Sequence, residues 1–158
     1  MSEFGRDDPR EMPGHFFYGS LRIHYASAVR ADPSRQNCSV CPRYWYIDAS
    51  FRCARCEAEF DFSASEQKTW YEEYGFWVDA FPKHCLPCRK ELRQLKDLRQ
   101  EYDHEVQSAL TTPDLGPKKH VADLIDRMCE IGSELPPQIL ENRRRLGRQI
   151  ERLERRST

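Results

Sequence analysis

Long apolar runs are missing from this chain of 158 residues, and none approaches the roughly 18 residues that a membrane-spanning helix needs. The sequence therefore offers no helical membrane span. Apolar residues in general are scarce: 39% of the chain, against roughly 45–50% in an ordinary globular protein. With a mean hydropathy of -0.84, one large hydrophobic core is not expected. Neither sign of charge dominates, since 25 Lys and Arg face 26 Asp and Glu. The chain as a whole thus lacks the basic excess that draws a protein to a polyanion. Glycine is sparse at seven residues, and no Gly-rich phosphate loop or serine nucleophile elbow occurs. The opening residues Met1 to Asp8 place no apolar segment behind a basic one, so a cytoplasmic location is expected.

Cysteine, by contrast, is plentiful. Six of the seven cysteines fall in three identical spacings, Cys38 and Cys41, Cys53 and Cys56, and Cys85 and Cys88, with Cys129 alone. Reducing compartments keep thiols free, so disulfides are a weak reading without a secretory signal. Zinc binding accounts for the pattern better. Two residues between cysteines let one tight turn aim both sulfurs at the same ion, and two such turns complete a tetrahedron. A redox CxxC would instead head a helix within a strand-helix-strand unit, and no such unit is legible around these pairs. Eleven residues separate the first pair from the second and twenty-eight the second from the third, and spacing alone leaves the pairing open.

Three zones follow from composition: an irregular N-terminal arm over 1–36, a zinc domain over 37–89 and a helical segment over 90–158. The arm carries turn residues and one aromatic patch, Phe16-Phe17-Tyr18, suited to lie on the next domain. Residues 38–88 hold twelve of the eighteen aromatics and eight acidic against five basic side chains. So short a segment gains a substitute for a core by packing rings around a metal. The alternation through Glu59-Phe60-Asp61-Phe62 predicts a strand. Ser63-Ala64-Ser65-Glu66 reads as a capping box opening a helix that stops at Gly75.

Beyond residue 89, apolar residues recur at steps of three and four in Leu92, Leu95, Leu98, Tyr102, Val106 and Leu110. A second stripe runs through Val121, Leu124, Ile125, Met128 and Leu135, and a third through Ile139, Leu140, Leu146, Ile150 and Leu153. Helices are predicted near 89–110, 118–135 and 137–156. Stripes this narrow suit a helical hairpin or a coiled-coil-like pairing, with a partner or with a second copy of the chain. Seven arginines crowd residues 143–156.

The run Phe51 to Gln67, with Cys53-Ala54-Arg55-Cys56 and Phe60-Asp61-Phe62, followed by Trp70-Tyr71, Gly75-Phe76 and Pro82-Lys83-His84-Cys85-Leu86-Pro87-Cys88-Arg89, resembles the bacterial "probable zinc-ribbon domain" family. About 40 residues carry the likeness. It departs from the family pattern at Glu57, where the family usually has Gly, and at Leu86-Pro87, where the family's Pro comes one place earlier. The resemblance implies a small α+β zinc ribbon, short strands plus one helix, ahead of the helical segment. It also implies that Cys53, Cys56, Cys85 and Cys88 hold one Zn2+. Cys38 and Cys41 lie outside the motif: they read either as half of a second zinc site, completed by His15, His24 or His84, or as packed thiols. Cys129, at an apolar helical step, reads as a core thiol.

A four-thiolate site has no open position, so its zinc contributes folding energy rather than chemistry. With no assembled acid, base and nucleophile in the sequence, catalysis is not expected, and the leading reading is a zinc-stabilised interaction module. The alternative is nucleic-acid binding by Arg143, Arg144, Arg145, Arg148 and Arg152, because the acidic zinc segment itself repels phosphate.

Overall fold

The computed structural model of the protein describes residues 4–38, 40–132 and 134–157. They fall into two compact units, Met1–Cys88 and Arg89–Thr158. The architecture is a small β region carrying a cluster of four cysteines, followed by three long helices. It is an α+β zinc module with a helical segment after it, as the sequence suggests.

Among the described residues, the first unit contains five short strands: β1 (Arg22–Ile23), β2 (Val29–Arg30), β3 (Trp45–Tyr46), β4 (Ala49–Arg52) and β5 (Glu59–Phe62). β4 is the centre of a three-stranded antiparallel sheet ordered β1-β4-β5, while β2 and β3 form a separate antiparallel pair. Ala49, Ser50 and Phe51 are all buried, as a central strand covered on both faces requires, whereas β5 alternates and buries Phe62 beside exposed Asp61. Residues 4–36 are largely short 3-10 turns, yet they supply β1 and β2 and bury Phe16 and Phe17 in the aromatic core with Tyr46, Phe62 and Tyr71. Tyr18 remains 78% exposed, and residues 1–3 of the expected arm lie outside the described residues.

The helix after β5 begins as its capping serine dictates: the Glu66 amide donates to Ser63 Oγ at 3.1 Å. α1 (Ala64–Lys68) then widens into a π-helical turn over Thr69–Glu73, where the Tyr74 amide reaches back to the Thr69 carbonyl at 3.0 Å. Gly75, at φ 68°, ends it in the left-handed conformation that glycine adopts without a side-chain clash. Two buried polar side chains hold this unit together. Arg43, 1% exposed, donates to the carbonyls of Val78 (2.7 Å) and Phe16 (3.1 Å), with its guanidinium over the rings of Phe16 and Tyr71. Gln67, also 1% exposed, accepts from the Ile47 amide and donates to the carbonyls of Ile47 and Phe62. One side chain thereby ties the helix to the end of β5 and to the segment that leads into β4.

In the second unit the observed helices are α2 (Leu86–Thr111), α3 (Leu115–Glu130) and α4 (Pro137–Arg156), the first of them starting in the preceding unit. Leu98, Tyr102, Val106 and Leu110 of α2 meet Val121, Leu124, Ile125 and Met128 of α3 and Ile139 and Leu146 of α4 in one core. The stripes therefore pack on one another. Lys118 is 3% exposed, and its ammonium donates to the Ala109 carbonyl at 2.8 Å and to Gln149 Oε1 at 2.7 Å, joining all three helices. Burial holds its pKa below the usual lysine range.

Replacing Gln67 with Ala strands one amide and two carbonyls inside the first unit. Lost hydrogen bonding at buried groups should lower stability by about 2–4 kcal/mol. Urea denaturation followed by tryptophan fluorescence measures this, and a loss within about 0.5 kcal/mol contradicts the clasp.

Candidate metal centre

Cys53 and Cys56 sit on a tight turn after β4. The Glu57 amide closes that turn onto the Cys53 carbonyl at 3.0 Å, and the Cys53 amide pairs with the Ala58 carbonyl at 2.8 Å. Glu57 occupies the left-handed region at φ 61°. The turn thus carries a strained residue where the family it resembles usually has glycine. The second pair is placed differently. Cys85 immediately precedes α2 and Cys88 lies in its first turn, where unpaired amides and the helix dipole favour negative sulfur. The Ala54 amide donates to the Lys83 carbonyl at 2.9 Å, joining the two ligand-bearing segments.

The four Sγ atoms lie within 4.8 Å of one another, and Cys56 Sγ and Cys85 Sγ are 3.7 Å apart. Four sulfurs at the usual Zn–S distance of about 2.3 Å stand about 3.8 Å apart in a regular tetrahedron. The spacing of the cluster suits one structural Zn2+. Cys53, Cys85 and Cys88 are buried with Phe60 packed against them, while Cys56 is exposed.

Proton chemistry within the cluster points the same way. At Cys53 burial opposes ionisation, but amides of Cys56, Cys85 and Arg55 donate to the sulfur and bring its pKa down to about 5. Cys88 is pushed up to about 12, first by its hydrogen bond with Cys85 and then by burial. One sulfur ionises readily while a neighbour resists, because without a cation the thiolates repel one another. A divalent ion removes that repulsion.

The remaining cysteines are placed elsewhere. Cys38 is exposed and Cys41 buried, and neither joins a group of three or more close ligand atoms among the described residues. Of the histidines considered with them, His24 Nε2 lies 3.0 Å from Ser50 Oγ, and His15 is 3.6 Å from an Asp79 carboxylate oxygen. His84 is half-buried beside Cys85. Cys129 is exposed, contrary to the core-thiol reading. The α3 stripe is Val121, Leu124, Ile125 and Met128, and one further residue rotates position 129 off it by about 100°.

Among the arginines, Arg143 makes a two-nitrogen pair with Asp126 at 2.7 and 2.9 Å. Arg144 and Arg148 converge on Glu141, whose pKa their hydrogen bonds hold below the usual carboxylate value. Arg145 and Arg152 are exposed. Sequence reasoning missed a further cluster, Glu101, Glu105 and His120, whose ligand atoms also lie within 4.8 Å of one another. Its only sequence signal was the spacing of two glutamates four apart on α2, because the histidine comes from another helix.

Two outcomes check this centre. A chelator strong enough to strip zinc, or Cys85→Ser, should unfold the knuckle and the start of α2, since structural zinc contributes on the order of 10 kcal/mol in small domains. Loss of one zinc per chain by atomic absorption, with loss of near-ultraviolet circular dichroism, is the expected readout. Unchanged spectra after zinc removal contradict it. Glu57→Gly should raise stability by about 1 kcal/mol by relieving the left-handed residue, read as a higher denaturation midpoint with zinc bound.

Residues 47–97 match a family model described as a probable treble clef domain. No curated protein and no solved structure matches the chain. The match corrects the ribbon expectation: this zinc-binding module is of the treble clef kind. The physical reason is the second cysteine pair, which sits at the N-terminus of a long helix instead of on a second β turn.

Proposed function

We propose that the protein is a non-catalytic interaction module, in which one structural zinc organises an aromatic domain and the helical unit receives a second copy of the chain or another protein. The observation that carries this reading is the cluster of four sulfurs: with every zinc position filled by protein, the ion has no place for substrate or activated water. A Ser-His-Asp grouping among the described residues supports it further. Ser50 Oγ lies 2.6 Å from Asp61 Oδ1 and 3.0 Å from His24 Nε2, and the hydroxyl proton is directed at the carboxylate. A histidine base needs that proton for itself to activate a serine.

The apolar stripes of the helical unit are largely consumed in its own core, so a partner surface narrows to what stays open. A cavity of about 270 Å³ remains between α2 and the α3–α4 connection, lined by the apolar Leu92, Leu95, Met128 and Leu135 and by the charged Lys96, Arg99 and Glu134. A lining that mixes apolar and charged side chains suits a protein contact. The arginine helix supports nucleic-acid binding less well, because Arg143, Arg144 and Arg148 are already engaged by carboxylates. A second zinc at Cys38 and Cys41 would need ligands drawn in from outside the pair, and metal analysis at one or two ions per chain decides it.

Sedimentation equilibrium tests the association. The weight-average mass should rise with concentration, and Leu92→Asp should weaken association at least about tenfold by placing a charge where an apolar contact forms. A constant monomer mass overturns self-association. Salt-sensitive binding of single-stranded RNA, abolished by Arg145→Glu with Arg152→Glu, overturns the interaction reading in favour of the arginine helix.

A further inference from the structure

Glu101 and Glu105 occupy positions four apart on α2 and so share a face, and His120 on α3 reaches the same point across the helical hairpin. His120 Nε2 lies 2.9 Å from Glu101 Oε1 and 3.5 Å from Glu105 Oε2. We infer that these three side chains form a second metal site, separate from the cysteines and suited to a first-row divalent transition ion.

Three features carry this. The first is convergence: one imidazole nitrogen and two carboxylate oxygens lie within 4.8 Å of one another, close enough for a single ion to take all three with a small change of side-chain torsion. The second is rigidity of the frame. Each ligand is followed in the chain by a residue locked in the helical core: Tyr102 after Glu101, Val106 after Glu105 and Val121 after His120, exposed by 3%, 7% and 0%. The backbone cannot drift while the side chains coordinate, and such support is what turns a cluster into a site.

The third feature is unbalanced chemistry. Like charges four apart on a helix repel, and Nε2, with at most one hydrogen, cannot serve both carboxylates. Among the described residues, Glu101 and Glu105 each pair with His120. The neighbouring cation Lys119 is engaged by Glu154 at 2.6 Å. A divalent ion at the His120 nitrogen meets both carboxylates at once and removes the repulsion. Side-chain exposures of 44%, 38% and 44% for Glu101, Glu105 and His120 leave room for water to complete the coordination. Mixed imidazole and carboxylate donors select Zn2+, Ni2+, Co2+ or Cu2+ over Mg2+ and Ca2+, which prefer oxygen alone. The ion would clip α2 to α3.

Ni2+ titrated calorimetrically into the zinc-loaded full-length protein tests this directly. One equivalent should bind, and His120→Ala and the double variant Glu101→Gln with Glu105→Gln should each weaken binding at least about tenfold. The thermal midpoint of the helical circular dichroism should rise with Ni2+ in the parent and stay fixed in the variants. These substitutions lie on the surface, and the metal-free midpoint verifies folding. Absence of a Ni2+ equivalent in the parent overturns the site, as does an equivalent that both variants retain. Zinc content at the cysteines, measured in parallel, separates this result from any failure of the first centre.

Discussion

Mutual repulsion of four sulfurs held within 4.8 Å is the constraint on which the zinc module rests. Backbone amides bring the pKa of Cys53 down; at Cys56 the Ala58 amide acts the same way but hydrogen bonds with Cys53 and Cys85 outweigh it, and Cys88 is raised as well. A cation is therefore what allows two distant segments, the turn after β4 and the start of α2, to share one point. From that point β4 and β5 are held as a hairpin, and the helix that follows is fixed at its first turn.

The rest of the first unit is built around polar groups rather than a thick apolar interior. Arg43 lies among Phe16, Phe17 and Tyr71 with its nitrogens on backbone carbonyls, and Gln36 donates to the Arg43 carbonyl while accepting from its amide. Buried polar groups are costly unless paired. Here they are paired with main chain that has no strand neighbour, so each one fixes a loop. The low apolar fraction of the chain is consistent with this, since several large buried side chains are themselves polar.

Much of this was legible in sequence. Local signals survived because they act over a few residues: the Ser63 cap, the alternation of Phe60 and Phe62, the stop at Gly75 and the three helical stripes. What failed to show was long-range. Gln67 reads as one residue of a motif, and nothing local reveals that it bonds Ile47, twenty positions away. The second knuckle read as a turn because two residues between cysteines suggest one, and Pro87 does not argue against it. Proline is equally at home in the first turn of a helix, where its missing amide hydrogen costs nothing, and that is where Pro87 lies. Cys129 was misread because its neighbour Met128, not the cysteine, completes the stripe. The His120 cluster combines residues from two helices, and the spacing of Glu101 and Glu105 alone does not reveal the histidine.

The buried ammonium of Lys118 bears on the order in which the helical unit assembles. Its two partners are the Ala109 carbonyl on α2 and the side chain of Gln149 on α4, and Gln149 also donates to the Leu110 carbonyl at 3.3 Å. A hairpin of α2 and α3 alone would leave the amine with one partner, open to water along the seam where α4 belongs. Closure thus waits for α4, and during synthesis the bundle becomes cooperative only once that helix has been made.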